Sequence, residues 1–284
     1  MEQLTYFDSI ILGIVEGLTE FLPVSSTGHL TIAEKLLGLT VDDPAVTAYT
    51  ATIQLGAIAA TVVYFFKDIV RLLGAWLRGL RSAQERTHHD YRLAWAVIVG
   101  SIPVGVVGFV AKGAITGGLR SLWVVAVALI LWSAVMWVAE RRHMVLERSG
   151  VHRGEGEVTM RDGLIIGLVQ CFSLIPGVSR SGATISAGLI NGLDRVTATR
   201  LSFFMAIPAL TAAGLYELKD VNASVVGFGQ MGVGIVIAFV VAYASIAWLL
   251  RFVAHHPITT FVWYRVGLGL VLCVVLGAGW LSPT

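Results

Sequence analysis

The sequence has little charge and almost no cysteine. Charged residues make up 13% of its 284 residues, whereas 56% are hydrophobic. A soluble domain of this length needs a larger charged surface, so we predict an all-α integral membrane protein. The two cysteines, Cys171 and Cys273, lie in apolar runs, and we expect no disulfide. The formal net charge of +2 is too small for a basic nucleic-acid-binding surface, so we expect no nucleic-acid partner.

Uncharged runs predict six membrane-spanning helices within a single membrane domain, residues 1–284. A helix needs roughly 20 mostly apolar residues to cross the hydrocarbon core of a bilayer. The runs that reach or approach this length are 47–66, 93–111, 121–139, 201–216, 221–250 and 266–281, the last being preceded by apolar sequence and Arg265.

Two further apolar segments are each interrupted by a polar break that contains proline and glycine. The first, 9–37, carries Glu16, Glu20 and His29, and its break begins at Pro23. The second, 163–193, is broken from Pro176 to Gly182. Each segment divides into pieces of about ten to sixteen residues, which are too short to span a bilayer. We therefore predict two re-entrant helical hairpins.

The two broken segments resemble each other, which indicates an internal duplication. Residues 11–16 align with 165–170, and 24–28 align with 178–182, at a constant offset of 154 positions (167 − 13 and 179 − 25). We predict one repeat over about residues 1–150 and a second over about 151–284, which together would form one membrane domain.

Basic residues predict the topology, because they favour the cytoplasmic side of a membrane. Residues 67–92 contain six lysines and arginines, and 140–161 contain five arginines. We expect both stretches in the cytoplasm, and we expect residues 38–46, 112–120 and 217–225 and both termini on the outer, periplasmic side. The broken segments would then enter from opposite faces, as an inverted-topology repeat does.

Ionisable groups at membrane depth are expensive to bury, so they are candidates for function. Glu16 and Glu20 are four residues apart, which places both carboxylates on one helical face. Such a pair could hold Mg²⁺ or Ca²⁺ beside a phosphate. Alternatively, one glutamate is protonated and pairs with a neighbour.

The run from Ser25 to His29 follows the first proline break. Ser25, Ser26 and Thr27 could simply cap the next helix, or the same free N–H groups could bind an anion. His29 could be a structural group. It could also act with Ser26, since a serine or histidine nucleophile beside a base is chemically reasonable.

Arg180 lies in the second break, between Ser179 and Ser181. A buried guanidinium requires an anion, which could be Glu16 or Glu20, or a phosphate bound bidentately. Carboxylates in one repeat and an arginine in the other could hold a metal and a phosphate together during phosphoryl transfer.

Other polar groups are assigned lesser roles. Gln54 is expected to form a hydrogen bond with a neighbouring helix. Asp162 is expected to act as a charge at a helix N-terminus. Residues 88–90 and 255–256 are expected on solvated loops.

Residues 16–29 (EGLTEFLPVSSTGH) and 176–184 (PGVSRSGAT) resemble the two long motifs of the undecaprenyl-pyrophosphate phosphatase family, also known as the bacitracin-resistance proteins. The resemblance covers essentially the whole chain. It implies a phosphatase of the bacterial inner membrane that makes the monophosphate lipid carrier for cell-wall synthesis. It also implies dependence on a divalent cation and an active site open to the outer side.

The resemblance implies that Glu16, Glu20, Ser26, His29 and Arg180 carry the reaction. Within the family the nucleophile is either the serine or the histidine. We predict Ser26 as the nucleophile, Glu20 or His29 as its base, Glu16 and Glu20 as the cation ligands, and Arg180 as the phosphate clamp. The residues predicted to bind substrate are Ser25, Thr27, Ser179, Ser181, Gly182 and Thr184.

The competing function is a polyprenyl-phosphate flippase or a secondary transporter, because inverted repeats with broken helices are typical of transporters. Such a protein has no need of a nucleophile.

A face of small residues could also pair helices within one chain or between two chains of a homodimer. This face comprises Gly227, Gly229, Gly232 and Gly234.

Overall fold

The computed structural model describes residues 4–41, 43–111, 113, 119, 121–217 and 227–283. Of the two predicted outer loops at 112–120 and 217–225, all but residues 113, 119 and 217 lie outside these ranges. The described residues form eleven α-helices and three short 3₁₀ helices. The α-helices are α1 Tyr6–Thr19, α2 Ser26–Leu36, α3 Pro44–Tyr64, α4 Phe66–Arg81, α5 His89–Val110, α6 Leu122–Arg148, α7 Met160–Gln170, α8 Arg180–Ile190, α9 Arg195–Glu217, α10 Phe228–His255 and α11 Thr259–Gly277.

Six of the described helices, α3, α5, α6, α9, α10 and α11, are long and apolar enough to cross a membrane. The prediction of six spanning helices is therefore confirmed. Several boundaries differ from the predicted ones. Among them, α6 ends at Arg148 rather than at 139, α9 begins at Arg195 rather than at 201 and α11 begins at Thr259 rather than at 266. The last two differences share a cause. Both helices include arginines that the apolar runs excluded, and these arginines are tolerated because each has hydrogen-bond partners.

Four short helices flank the two breaks. Helix α1 has 14 residues, and α2, α7 and α8 have 11 each. Eleven residues make a helix of about 17 Å, roughly half the thickness of the hydrocarbon core. The predicted division of both segments into short pieces is confirmed.

The two broken segments share their local structure. Capping boxes start α1 at Thr5 and Asp8 and α7 at Thr159 and Asp162, so both recur at the predicted offset. Asp162 thus serves as the expected N-terminal helix charge.

The serines that precede α2 and α8 share an unusual backbone conformation. Ser25 has φ 79° and Ser179 has φ 77°, a left-handed region that serine rarely adopts. Each serine accepts a hydrogen bond from the backbone N–H of the glycine three residues later, Gly28 or Gly182. The same left-handed turn therefore occurs in both breaks, and each turn sets the direction of the helix that follows it.

Close backbone packing fixes the short helices against the spanning ones. Helix α1 packs on α10, and α7 packs on α5. A Cβ atom added to Gly13 would lie 2.8 Å from the carbonyl oxygen of Gly234, and one added to Gly167 would lie 2.0 Å from that of Gly100. The predicted small-residue face therefore packs within the chain at Gly234.

A network of ion pairs joins α4, α5, α9 and the segment before α7. Arg71 pairs with Asp68, Asp90 and Glu155, and Arg200 pairs with Asp68 and Glu155. The expectation of a solvated face at 88–90 is therefore wrong for Asp90, which is buried because Arg71 compensates its charge. Burial alone would raise the pKa of Glu155, but hydrogen bonds from the two arginines and their charges hold that pKa below its ordinary value.

Candidate active site

The two breaks meet at one end of a cavity of about 780 Å³. The polar residues that line this end come from both breaks and include Glu20, Ser26 and Arg180. Most of the remaining wall is apolar and comes from α5 and α9, around Ile102 and Pro208. The cavity thus offers a charged end and a long apolar wall to one ligand.

Glu20 is the centre of the polar cluster. The Ser26 hydroxyl donates a hydrogen bond to Glu20 Oε2 over 2.6 Å, and Gln54 Nε2 donates to the same oxygen over 3.3 Å. Arg180 Nη2 lies 3.3 Å from the other carboxylate oxygen, Oε1. A serine hydroxyl that donates to a fixed carboxylate has the geometry of a nucleophile beside its base. Gln54 forms the expected contact between helices, and that contact is part of the site.

Arg180 is held in place and still has a free donor. Its Nη1 donates to the Ser202 carbonyl over 3.1 Å, and its Nη2 donates to the Glu20 carbonyl over 3.3 Å. The guanidinium carbon also lies 5.7 Å from the centre of the Phe21 ring, within cation–π range. Its Nε has no hydrogen-bond partner among the described residues. Arg180 therefore pairs with Glu20 and keeps a donor for a further anion.

Hydrogen bonds between the breaks fix their relative position. The backbone N–H of Gly177 donates to Ser25 Oγ over 3.2 Å, and Ser181 Oγ donates to the Leu22 carbonyl over 2.9 Å. The left-handed turn at Ser25 thus brings its hydroxyl against the second break.

Arg265 of α11 reinforces this junction from behind. Its side chain is fully buried and donates to the carbonyls of Pro23, Gly177 and Val178 over 2.9–3.1 Å. It also donates to Ser133 Oγ over 3.2 Å. The sequence analysis treated Arg265 only as an interruption of an apolar run. The signal that could have identified it is a charge in the middle of a predicted span.

Glu16 lies one helical turn before Glu20 and is fully buried. Neither of its carboxylate oxygens has a hydrogen-bond partner among the described residues. Of the three groups that were predicted to share one pocket, Glu20 and Arg180 line the cavity, whereas Glu16 is not among the lining residues.

The family described as bacitracin resistance protein BacA matches residues 9–271 of the chain. The chain belongs to this family. Among curated relatives, it is 56% identical to undecaprenyl-diphosphatase 1 of Streptomyces avermitilis over 277 residues, which cover 96% of this chain and 97% of the relative. It is 53% identical to undecaprenyl-diphosphatase of Cutibacterium acnes over 279 residues, covering 95% and 96%. The family predicted from the two motifs is confirmed.

His29 of this BacA-family chain faces away from the Glu20 cluster. Its Nδ1 lies 2.7 Å from the Ser25 carbonyl, which can only accept, so Nδ1 carries the proton. Its Nε2 then accepts from the Tyr264 hydroxyl over 2.6 Å, and the two rings stack. Both ring nitrogens are occupied, and it is Ser26 that lies against Glu20.

The predicted substrate-binding residues fall into two groups. Ser25, Thr27 and Ser179 line the cavity. The others, Ser181, Gly182 and Thr184, are not among the lining residues and are buried behind the cavity wall. There, Thr184 Oγ1 donates to the Arg180 carbonyl over 2.9 Å and lies 2.7 Å from the Ser202 hydroxyl oxygen. Gly182 donates its N–H to Ser179 Oγ over 3.2 Å. This second group supports the lining residues.

Several cavity-lining residues were not predicted as site candidates. Among them are Gln170, which ends α7, and Ser173, which lies in the short 3₁₀ helix that follows α7. Gln170 entered the analysis only as the residue that aligns with Glu16. That alignment was the available signal.

Proposed function

We propose that this protein hydrolyses undecaprenyl pyrophosphate to undecaprenyl monophosphate in the cavity between the two breaks. Its relatives carry the name undecaprenyl-diphosphatase, and they cover nearly the whole chain. The observation that carries the proposal is the Ser26–Glu20 hydrogen bond beside Arg180, at the polar end of an otherwise apolar cavity.

The shape and chemistry of the cavity suit a lipid pyrophosphate. Its polar end offers hydroxyls, N–H groups and a guanidinium, which are the groups that bind phosphate oxygens. Its apolar wall includes Ile102, Phe109, Leu210 and Tyr216 of α5 and α9, where a prenyl chain can be buried. A transporter for the same lipid would need the anion site but has no use for a serine paired with a carboxylate.

In the proposed reaction, Ser26 Oγ attacks the terminal phosphorus while Glu20 Oε2 accepts the hydroxyl proton. The bond from this phosphorus to the bridging oxygen breaks, and undecaprenyl monophosphate leaves. Arg180 stabilises the charge on the transferred phosphoryl group. Glu20 passes the proton from Ser26 to the bridging oxygen of the leaving monophosphate. It then accepts a proton from the water that attacks the phosphoserine, the bond between phosphorus and Ser26 Oγ breaks, and Glu20 returns the proton to Ser26 Oγ as phosphate leaves. Because Arg180 contacts Oε1 and Ser26 contacts Oε2, Glu20 can pair with Arg180 and accept the Ser26 proton at the same time.

The buried carboxylate of Glu16 suits a divalent cation. Two orphaned carboxylate oxygens are hard oxygen donors of the kind that Mg²⁺ and Ca²⁺ prefer. Glu16 and Glu20 would hold this cation. When bound, it would neutralise charge on the pyrophosphate oxygens.

The broken segments act as re-entrant hairpins of an inverted-topology repeat within one membrane domain. This topology is supported by the short helices, by the matching caps and by the reciprocal packing of α1 on α10 and of α7 on α5. The basic stretches 67–92 and 140–161 support a cytoplasmic position for the ion-pair network and an outer position for the termini, because basic residues favour the cytoplasmic side. The cavity then opens to that outer side. The proposal holds for a monomer or a homodimer.

The test is phosphate release from undecaprenyl pyrophosphate by purified protein, with and without a divalent cation. Ser26→Ala, Glu20→Gln and Arg180→Ala should each lower kcat by roughly three orders of magnitude, as removal of a member of a catalytic unit does. The control is Ser186→Ala, which removes a buried hydroxyl of α8 that is not among the cavity-lining residues. Full activity of Ser26→Ala would exclude the serine mechanism. Lipid translocation without hydrolysis by the wild type would favour a flippase.

A further inference from the structure

Gln170 is a buried amide that nothing in the described chain satisfies. Its side chain is fully buried and lines the same cavity as Glu20 and Arg180. Neither Oε1 nor Nε2 has a hydrogen-bond partner among the described residues. A buried primary amide without partners is strongly unfavourable, so its retention requires an explanation.

Close packing and a hydrogen bond restrain the backbone around Gln170, and they fix the position of this cavity-lining side chain. One turn earlier, Gly167 packs directly against the Gly100 backbone of α5. The Gln170 carbonyl accepts a hydrogen bond from Ser173 Oγ over 2.7 Å, which fixes the start of the break. The side chain is therefore presented to the cavity from a backbone that has little freedom to withdraw it.

The position is the counterpart of Glu16 in the other repeat, at the offset of 154. Glu16 and Gln170 are both fully buried, and both lack partners for their side-chain oxygens. They differ in charge and in what they can donate. A carboxylate at position 170 would add a negative charge to a pocket that receives a pyrophosphate, whereas an amide adds two N–H donors.

We infer that Gln170 is a substrate-binding residue whose Nε2 donates hydrogen bonds to pyrophosphate oxygens that Arg180 does not engage. This inference rests on the proposed function, since it places the pyrophosphate in the same cavity. The second repeat then supplies the positive and neutral donors for the substrate, and the first supplies the carboxylates and the serine.

The test compares Gln170→Leu with the matched control Ser186→Ala, which also removes a buried polar group without a described partner. Because no described protein group binds the amide, Gln170→Leu should not lower the melting temperature. It should reduce kcat/KM for undecaprenyl pyrophosphate by about 10- to 100-fold, the ratio for one lost hydrogen bond to a charged group. Ser186→Ala should keep wild-type kinetics. Gln170→Glu should lose more activity than Gln170→Leu, because its carboxylate repels the phosphates.

A second measurement does not depend on turnover. Methylenediphosphonate, a pyrophosphate analogue that cannot be hydrolysed, should raise the melting temperature of the wild type and of Ser186→Ala. The increase should be smaller for Gln170→Leu. Equal kcat/KM and equal diphosphonate binding in Gln170→Leu and wild type would overturn the inference, and the amide would then contact only water. A fall in melting temperature that accounts for the lost activity would also overturn it.

Failure of the proposed function gives a different result. In that case the wild type would release no phosphate from the lipid. If diphosphonate still stabilised the wild type more than Gln170→Leu, the contact between Gln170 and the phosphates would be supported in a protein that does not hydrolyse the lipid. If the wild type hydrolysed the lipid and Gln170→Leu matched it in both assays, only the Gln170 inference would fail.

Discussion

Replacement of Arg265 tests whether the junction of the two breaks is held from behind by one buried cation. Arg265 donates to the carbonyls of Pro23, Gly177 and Val178, one from the first break and two from the second. Hydrogen bonds to a charged group contribute about 1.5–3 kcal/mol each. Arg265→Met loses all three, but it also removes a buried cation that has no carboxylate within ion-pair distance among the described residues, and this offsets part of the loss.

We expect Arg265→Met to lower the free energy of unfolding by about 2–5 kcal/mol. For a chain of this size, that corresponds to a fall in melting temperature of about 3–9 °C. At a temperature where both proteins are folded, kcat should fall more than 10-fold. Loss of the Arg265 contacts should shift Glu20 relative to Arg180, and a small shift of reacting groups slows a reaction that depends on their alignment. Arg265→Lys should be at least as damaging, because one ammonium group cannot reach carbonyls in both breaks and still has to be buried.

The assay is thermal unfolding of purified protein in detergent, followed by phosphate release well below both melting temperatures. Arg251→Met, which replaces an exposed arginine near the end of α10, serves as the control and should change neither quantity. The reasoning is refuted if Arg265→Met unfolds and turns over as the wild type does. If Arg265→Met is impaired but Arg265→Lys behaves as the wild type does, the charge matters and the forked geometry of the guanidinium does not.

Three further predictions concern the nucleophile, the helix packing and the ion-pair network. Rapid acid quenching during turnover should trap an acid-stable phosphoserine at Ser26, and an acid-labile phosphohistidine at His29 would contradict the mechanism. Gly167→Ala should destabilise the protein by about 1–3 kcal/mol through overpacking against α5, whereas Gly232→Ala, with no atom within 4 Å of the added Cβ, should be neutral in thermal unfolding. Glu155→Gln should lower stability at neutral pH. Because its folded pKa is lowered, the advantage of the wild type is fully present above the unfolded pKa of about 4.3 and should disappear as pH falls through the folded value.

The helices and breaks could be predicted because their signals are local. Apolar runs of spanning length and clusters of proline and glycine are visible without knowledge of the partners. The helix ends were less accurate, since α9 continues over Arg195 and Arg200, which pair with Glu140 and Glu155. These partners are 55 and 45 residues away, and a single sequence does not reveal such pairs.

The membership of the polar cluster could also be predicted, because charges in a membrane protein have to be compensated. The direction in which each side chain points could not be predicted from the sequence. His29 is three residues from Ser26, yet its ring turns to Tyr264 because its Nδ1 bonds the Ser25 carbonyl. Spacing along the helix gives the neighbourhood of a residue, whereas competing hydrogen bonds decide where its side chain points.

Arg180 and Arg265 show why burial alone does not identify a functional charge. Both are arginines in apolar sequence, and both contact the two breaks. Arg265 is shared among carbonyl and hydroxyl acceptors, each of its nitrogens has a partner, and it is not among the residues that line the cavity beside Glu20. Arg180 has a carboxylate partner, keeps an unpartnered Nε and lines the cavity. A buried cation whose donors all bind the protein holds the structure together, and one that lines a cavity and has a donor without a described partner can bind a substrate. By the same criterion Gln170, whose amide has no partner among the described residues, belongs with Arg180.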